Sequence, residues 1–232
     1  YSYPGRQEIF LDLSVQRLLF SQGQCELTAT MKIVSIAILR YGRDVEEPVM
    51  LTQACDLSSL GFFQRSGVRE LLTFFSKLMV KRTEPGTRQT VQHNEFDYNV
   101  HTYVRADGLS GTVTADMEYP ARVAFLLLTQ LLDQYATELS GVWERETRNE
   151  VIAFPPADQA LVQYQDPAAA DKVTKIQRDL DQTTEILYNT IDNVLARGEK
   201  LDNLVERSDE LSRQSKMFYS QAKRANSCCL IL

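Results

Sequence analysis

Cysteine is scarce in this chain and badly spaced for metal or disulfide chemistry. The four cysteines stand at positions 25, 55, 228 and 229, with neither zinc-ligand spacing nor a disulfide framework. That usage fits a reducing, cytosol-facing compartment. Histidine is rarer still. His93 and His101 are the only two, and they fall on neighbouring expected strands, where such a pair is far more often a surface or core feature than a catalytic unit. Long apolar runs are also missing. The longest, Val123 to Leu128, is well short of the ~20 residues that span a bilayer, so any membrane attachment is expected to be by an anchor. There is no glycine-rich phosphate loop with its Lys, no zinc pattern and no Gly-x-Ser-x-Gly elbow. Paired acids such as Glu46-Glu47 and Asp209-Glu210 read as solvated faces. No enzyme, cofactor or metal site is expected, and the net charge of −6 argues against a nucleic-acid surface.

What the chain has instead is periodicity at its C-terminal end. From about Lys172 to Ala225, one row reads Val173, Leu180, Leu187, Val194, Leu201, Ser208, Ser215, Ala222. The other reads Ile176, Thr183, Thr190, Arg197, Leu204, Leu211, Phe218, Ala225. Each row keeps a seven-residue period, which is a coiled-coil a/d seam sustained well beyond three or four heptads. As one helix the stretch would reach roughly 80 Å. Charged residues crowd the flanks, yet only Arg197 among them sits in the seam. A guanidinium in an apolar layer needs acceptors from partner helices, and a lone polar seam residue fixes register and partner number. A homodimeric coiled coil that tolerates one Arg is the simpler alternative.

The 232-residue chain is long enough for one ordinary domain plus this extension. Residues 1–30 read as a disordered leader or a gene-model extension, with Met31 as initiator; an amphipathic helix over 13–20 is the competing view. Met31 to Arg40 is apolar on both alternating sets, as in a central strand. Pro48 to Gln53 pairs with it as a hairpin. A helix over Gly67 to Lys81 carries Val68, Leu71, Leu72, Phe75, Leu78 and Met79 on one stripe, and Phe74 with the Phe62-Phe63 pair falls off that stripe. Three strands follow (Gly86 to His93, Asp97 to Arg105, Ser110 to Asp116), with Asp107-Gly108 turning the last pair. A helix then starts after Tyr119-Pro120. The result is an α+β domain over 31–145, a five-stranded antiparallel sheet flanked by helices. A breaker-rich linker over 146–170, marked by Pro155-Pro156 and Pro167, leads to the long helix over 171–226.

The tail, residues 227–232, ends Cys228-Cys229-Leu230-Ile231-Leu232. Its last four residues fit the prenylation pattern on Cys229, with terminal Leu favouring geranylgeranyl, and Cys228 is a natural acylation site. A frayed apolar end with two incidental thiols is the bland alternative.

These residues carry a family resemblance. Leu195-Ala196-Arg197-Gly198-Glu199-Lys200-Leu201-Asp202-Asn203-Leu204 resembles the central layer of an R-SNARE helix, and the double Cys is similar to that of the prenylated, longin-type R-SNARE without a transmembrane anchor. Asp56-Leu57-Ser58-Ser59, Phe62-Phe63-Gln64-Arg65-Ser66, Tyr103-Val104-Arg105, Tyr119-Pro120-Ala121-Arg122-Val123-Ala124-Phe125 and Tyr164-Gln165-Asp166-Pro167 resemble its longin domain and connector. The resemblance implies a profilin-like longin fold followed by a SNARE helix with Val173, Ile176, Leu180, Leu187, Val194, Leu201, Leu204, Leu211 and Phe218 as layers. It implies an Arg197 central layer met by three glutamine-SNARE helices, driving vesicle-membrane fusion. It implies prenyl on Cys229 and palmitoyl on Cys228 as a switchable membrane anchor, aided by Lys216, Lys223 and Arg224 near the headgroups. The longin domain is expected to fold back on the SNARE helix, using Phe74 with Phe62 and Phe63 behind it. Ser208 and Ser215, small seam residues, are candidate phosphosites. The location implied is the cytoplasm and the cytosolic face of Golgi, ER and vesicle membranes. The alternative from another class is a lipid-anchored coiled-coil tether or longin adaptor that self-associates.

Overall fold

The computed structural model describes residues 32–42, 45–93, 96–149, 152–166 and 185–228, the last four by backbone alone. The leader 1–30, the layers Val173, Ile176 and Leu180, and the tail Cys229 to Leu232 lie outside the described residues; Cys228 is described by its backbone only.

β1 (Ile33–Arg40) and β5 (Leu109–Asp116) form the middle of the sheet and are buried almost throughout, because helices cover both their faces. β2 (Val49–Cys55), β3 (Arg88–His93) and β4 (Tyr98–Val104) complete the five expected strands. All pairings among these five are antiparallel. α1 (Phe62–Lys81) starts five residues earlier than its stripe predicts, taking in the Phe62-Phe63 pair. α2 (Ala121–Glu138) follows Pro120, whose missing N–H costs nothing at a helix start.

Alternation along β1 separates two cores. Ile36 and Ile38 face α2, whereas Ala37 and Leu39 pack with Val80 of α1. β5 does the same. A Cβ on Gly111 would lie 2.8 Å from Leu128 of α2, and the neighbouring Thr112 donates to Ser76 of α1 at 2.9 Å. Gly111 is what lets α2 settle closely on the sheet.

The stretch read as a linker is partly structured. α3 (Pro155–Gln163) begins with both prolines in its first turn, where orphan N–H groups make Pro tolerable. Phe154, Ala157, Leu161 and Tyr164 join the α2 core. The Tyr119 hydroxyl donates to the Tyr164 carbonyl at 3.0 Å, and the Tyr164 hydroxyl to Gln130 Oε1 at 2.7 Å. Gln165 clasps Ile33, accepting its N–H and donating to its carbonyl. Residues 152–166 therefore pack as part of the domain.

The long single helix expected over 171–226 is not the conformation of its described part. Residues 185–228 form instead a strand, β6 (Ile186–Thr190), and three helices: α4 (Ile191–Val194), α5 (Leu201–Arg207) and α6 (Arg213–Cys228). β6 pairs in parallel with β3, from Arg88 opposite Ile186 to Gln92 opposite Thr190. The sheet thus has six strands in the order β2-β1-β5-β4-β3-β6. The physical reason is partner supply. A seam helix with no companion helix leaves its apolar positions in water, and the open edge of β3 leaves backbone groups unpaired. Folding the segment back satisfies both.

Candidate functional site: the C-terminal segment and the face that holds it

The segment rests on a second hydrophobic cluster on the α1 side. Leu71, Met79, Val91 and Val100 from the domain meet Ile191, Leu195, Leu201, Val205, Leu211 and Tyr219 from the segment. Burying a side chain of this size contributes about 1.5–3 kcal/mol, so the contact rivals the hydrophobic part of a small core. Phe75 links the two sides. Its ring lies 5.3 Å from His93 and 6.5 Å from Tyr219, and Phe96 closes the group at 4.5 Å from His93 and 5.5 Å from Tyr219. Beside it sits a small apolar cavity of about 90 Å³, walled by Val68, Leu72, Phe75, Tyr98 and Phe218 among others.

On α6 the buried positions are Leu211 just ahead of it, then Ser215, Tyr219 and Ala222. Three of these four are seam positions; Phe218, also in the seam, is half-buried. Tyr219 is not in either row, and neither are the buried Ile191, Leu195 and Val205. The heptad reading missed them because a mixed sheet-and-helix surface does not present holes at 3.5-residue spacing. Upstream the seam is looser. Leu201 is buried, Leu204 and Val194 are half-buried, and Leu187 is 42% exposed.

Arg197 is exposed, on a turn between α4 and α5 where Gly198 takes φ 82°. Glu199 shapes that turn. Its Oε2 accepts the Ala196 N–H at 3.0 Å and the Arg82 guanidinium at 2.6 Å. Arg82 thereby ties the central-layer stretch to the end of α1.

α6 is held at its start. Ser212 is its N-cap, with Oγ accepting the Ser215 N–H at 3.2 Å. Glu70 of α1 reaches the same point, and its Oε2 accepts the Ser212 N–H at 2.9 Å and the Ser215 hydroxyl at 2.5 Å. Burial pushes the Glu70 carboxyl up, but the hydrogen bonds from Ser215 and Ser212 outweigh it and leave the group below its ordinary value. One loop earlier, Lys77 Nζ pairs with Glu210 at 2.7 Å.

Phe74 is half-buried at the rim of the holding cluster and stacks edge-on against Phe75 at 5.5 Å. Phe62 and Phe63 differ from expectation. Their rings are 80% and 82% exposed, packed on each other at 5.6 Å, and the contact there is made by the Phe63 carbonyl, which accepts from Gln214. α1 begins at Phe62, and its first turn leaves both side chains largely in solvent. Ser208 is half-buried beyond the end of α5, and Ser215 is fully buried. Both histidines are buried. Burial holds each near 4, with Lys223 adding a smaller push at His93. His101 Nδ1 lies 3.0 Å from Thr90 Oγ1.

The molecule is a small α+β domain that clasps its own heptad segment. Two family models bear directly on it. The Longin model, a regulated-SNARE-like domain, matches residues 57–158, and the Synaptobrevin model matches residues 172–230. The chain belongs to the longin-domain synaptobrevin family of SNARE proteins, non-enzymatic proteins of vesicle traffic. It is 47% identical over 202 residues to the synaptobrevin homolog ykt6 of Schizosaccharomyces pombe, and 48% identical over 202 residues to the VAMP-like protein YKT61 of Arabidopsis thaliana. It is 43% identical over 204 residues to the synaptobrevin homolog YKT6 of Saccharomyces cerevisiae. In each case 87% of this chain and all of the relative are covered. Among the described residues no helix is long and apolar enough to cross a membrane.

Proposed function

We propose that this chain is an R-SNARE whose residues 171–226 zip with three glutamine-SNARE helices to drive intracellular membrane fusion, and that the longin domain restrains it by holding the segment folded back. The observation that carries this reading is the shared face. Leu211 and Ser215 belong to the a/d seam and are buried against the domain, so one set of side chains cannot meet partner helices and the domain together. Arg197, outside that contact, would donate its fork to glutamine carbonyls once the helix is continuous. The layers Val173, Ile176 and Leu180 extend the seam toward its N-terminal end.

Anchoring is by lipid in this reading. Prenyl on Cys229 alone gives marginal membrane binding, and palmitoyl on Cys228 makes it stable, so the chain cycles between cytoplasm and the cytosolic face of Golgi, ER and vesicle membranes. The apolar cavity under Phe218 supports a shielding role for the folded-back state, though it is smaller than a prenyl chain and α6 would have to shift to admit one. Phosphate on Ser208 or Ser215 would place charge in a tight layer and oppose zippering.

The test is assembly of the full chain with three glutamine-bearing SNARE helices, followed by resistance to SDS and gain of helix. A complex that requires the partners and loses register with Arg197→Ala supports the reading. A stable helical homo-oligomer indifferent to them points instead to a tether.

A further inference from the structure

We infer that Glu70 and Lys77 of α1 form a two-point clamp that decides where the seam helix is broken, by completing the start of α6 from outside the segment. The consequence for SNARE assembly rests on the function proposed above; the clamp itself does not.

α1 and α6 cross at Gly67, where an added Cβ would stand 3.5 Å from Ser215 Oγ and 3.6 Å from Ser215 Cα. A methyl there would make ordinary van der Waals contact, so the crossing marks how near the two helices lie. Glu70 lies one turn further along α1 and so arrives at the N-terminus of α6. In an ordinary capping box the N-cap side chain takes the N3 amide, and a Glu or Gln at N3 reaches back to the N-cap N–H. Here the N3 residue is Ser215, too short to reach back. Glu70 takes that place from another helix. The hydroxyls align accordingly: Ser215 donates to Glu70, and Ser212 Oγ, 2.9 Å from Ser215 Oγ, donates to Ser215. The N–H groups and hydroxyls of Ser212 and Ser215 all have acceptors, and a carboxylate sits where the helix dipole favours it.

Lys77 is two turns along the same face of α1. Its side chain is 10% exposed, and it grips Glu210. The two contacts therefore hold Glu210 and Ser212 in the loop 208–212 between α5 and α6. Ser208 there is extended, with ψ 123°. In one continuous helix Ser212 would be an interior residue, its N–H bonded to the Ser208 carbonyl, and Glu70 would have nothing to cap. Glu70 thus interacts with the broken segment and not with the continuous one, which is what a ligand must do to shift a two-state equilibrium. Neither residue belongs to the apolar contact, so the clamp adds position to a docking that burial alone leaves free to slide.

The experiment uses the full chain with Glu70→Ala, Lys77→Glu, Glu210→Lys and the Lys77→Glu/Glu210→Lys pair. Amide hydrogen exchange is followed over 201–224 and, as an internal control, over β1 and β5. Each single variant should raise exchange at 208–219 roughly tenfold while β1 and β5 hold, and the charge-swapped pair should restore protection. Unchanged exchange at 208–219 in Glu70→Ala, or a swapped pair no better than Lys77→Glu, overturns the clamp. Assembly with glutamine-SNARE helices is read separately on the same proteins. Variants that open by exchange yet never assemble leave the clamp standing and remove the fusion reading.

Discussion

The hydroxyl of Tyr219 on α6 lies 3.0 Å from Asp202 Oδ1 on α5, although 17 positions separate them. In one straight helix the two would be about 25 Å apart along the axis. Lys223 joins the same carboxylate at 2.8 Å, so the two halves of the seam are tied to each other as well as to the domain. Asp202 reports on the folded-back state for that reason. The Lys223 pairing, aided by the Tyr219 hydroxyl, holds its carboxyl below the ordinary value, and burial opposes it. A depressed carboxyl stabilises above its unfolded pKa, and the contribution is lost as pH falls through the folded value. Asp202→Asn should loosen α6 by no more than about 1 kcal/mol at neutral pH, since the pair is partly exposed. Exchange of α6 amides at pH 7 and pH 3 measures it; in the variant the share of acid sensitivity due to Asp202 should disappear, leaving that of the buried histidines.

Tyr219 is the larger handle. Truncation of a buried aromatic costs about 3–5 kcal/mol, so Tyr219→Ala should release α6 while the five antiparallel strands keep their stability. Tyr219→Phe keeps the ring and loses only the hydrogen bond, about 1 kcal/mol. Protease susceptibility of the 208–224 stretch separates them. Equal susceptibility of the two variants would show that packing does not hold the helix.

Acid should weaken the whole fold above the carboxylate range. His93 and His101 are held near 4 from the ordinary 6.5 by burial, with Lys223 adding to the effect at His93. The unfolded chain binds those protons and the folded chain resists them. Stability is therefore full above about 6.5 and falls toward pH 4, by about 1.4 kcal/mol per pH unit for each histidine at the steepest part. Denaturant midpoints at pH 7, 6 and 5 should descend in order, and His101→Asn should flatten the slope. Coincident midpoints would remove the burial account.

Gly111 tests the other core. A methyl there meets Leu128 Cδ2 at 2.8 Å and Leu132 Cδ2 at 3.3 Å, both in fully packed surroundings. Gly111→Ala should cost about 1–3 kcal/mol by overpacking, seen as a thermal midpoint lowered by several degrees. The α1–α6 contacts, on the opposite face, should stay as they are.

The longin part was legible because its signals are local. β1 reads as central from apolar residues on both alternating sets, and the Asp107-Gly108 turn from its dipeptide. The start of α1 was not, since its signal is faint: Gly61 caps without a side chain, Gln64 Oε1 accepts the Gly61 N–H at 3.3 Å, and the Phe62 and Phe63 side chains end in solvent. α3 hid behind Pro155-Pro156, which break a helix interior and suit a helix start equally well. The larger difference lies in the segment. Its heptads state what it prefers beside other helices, and they contain nothing about the surface it meets alone. Hence Arg197 was placed in a layer and stands on an exposed turn, while Tyr219, Ile191 and Val205 were overlooked. Nothing in the sequence joins Glu70 and Lys77 to the start of α6. Their role depends on α1 and α6 crossing beside Gly67, which is a three-dimensional fact.

β6 shields the outer edge of β3. When the segment departs, that edge is left with unpaired N–H and C=O groups along Arg88 to His93, a template for any extended peptide nearby. Release thus bares a strand edge in addition to a seam. In the proposed cycle, opening would pass through a species with that edge bare and prone to edge-to-edge aggregation, which favours opening on a surface or in the company of partners over opening alone in solution.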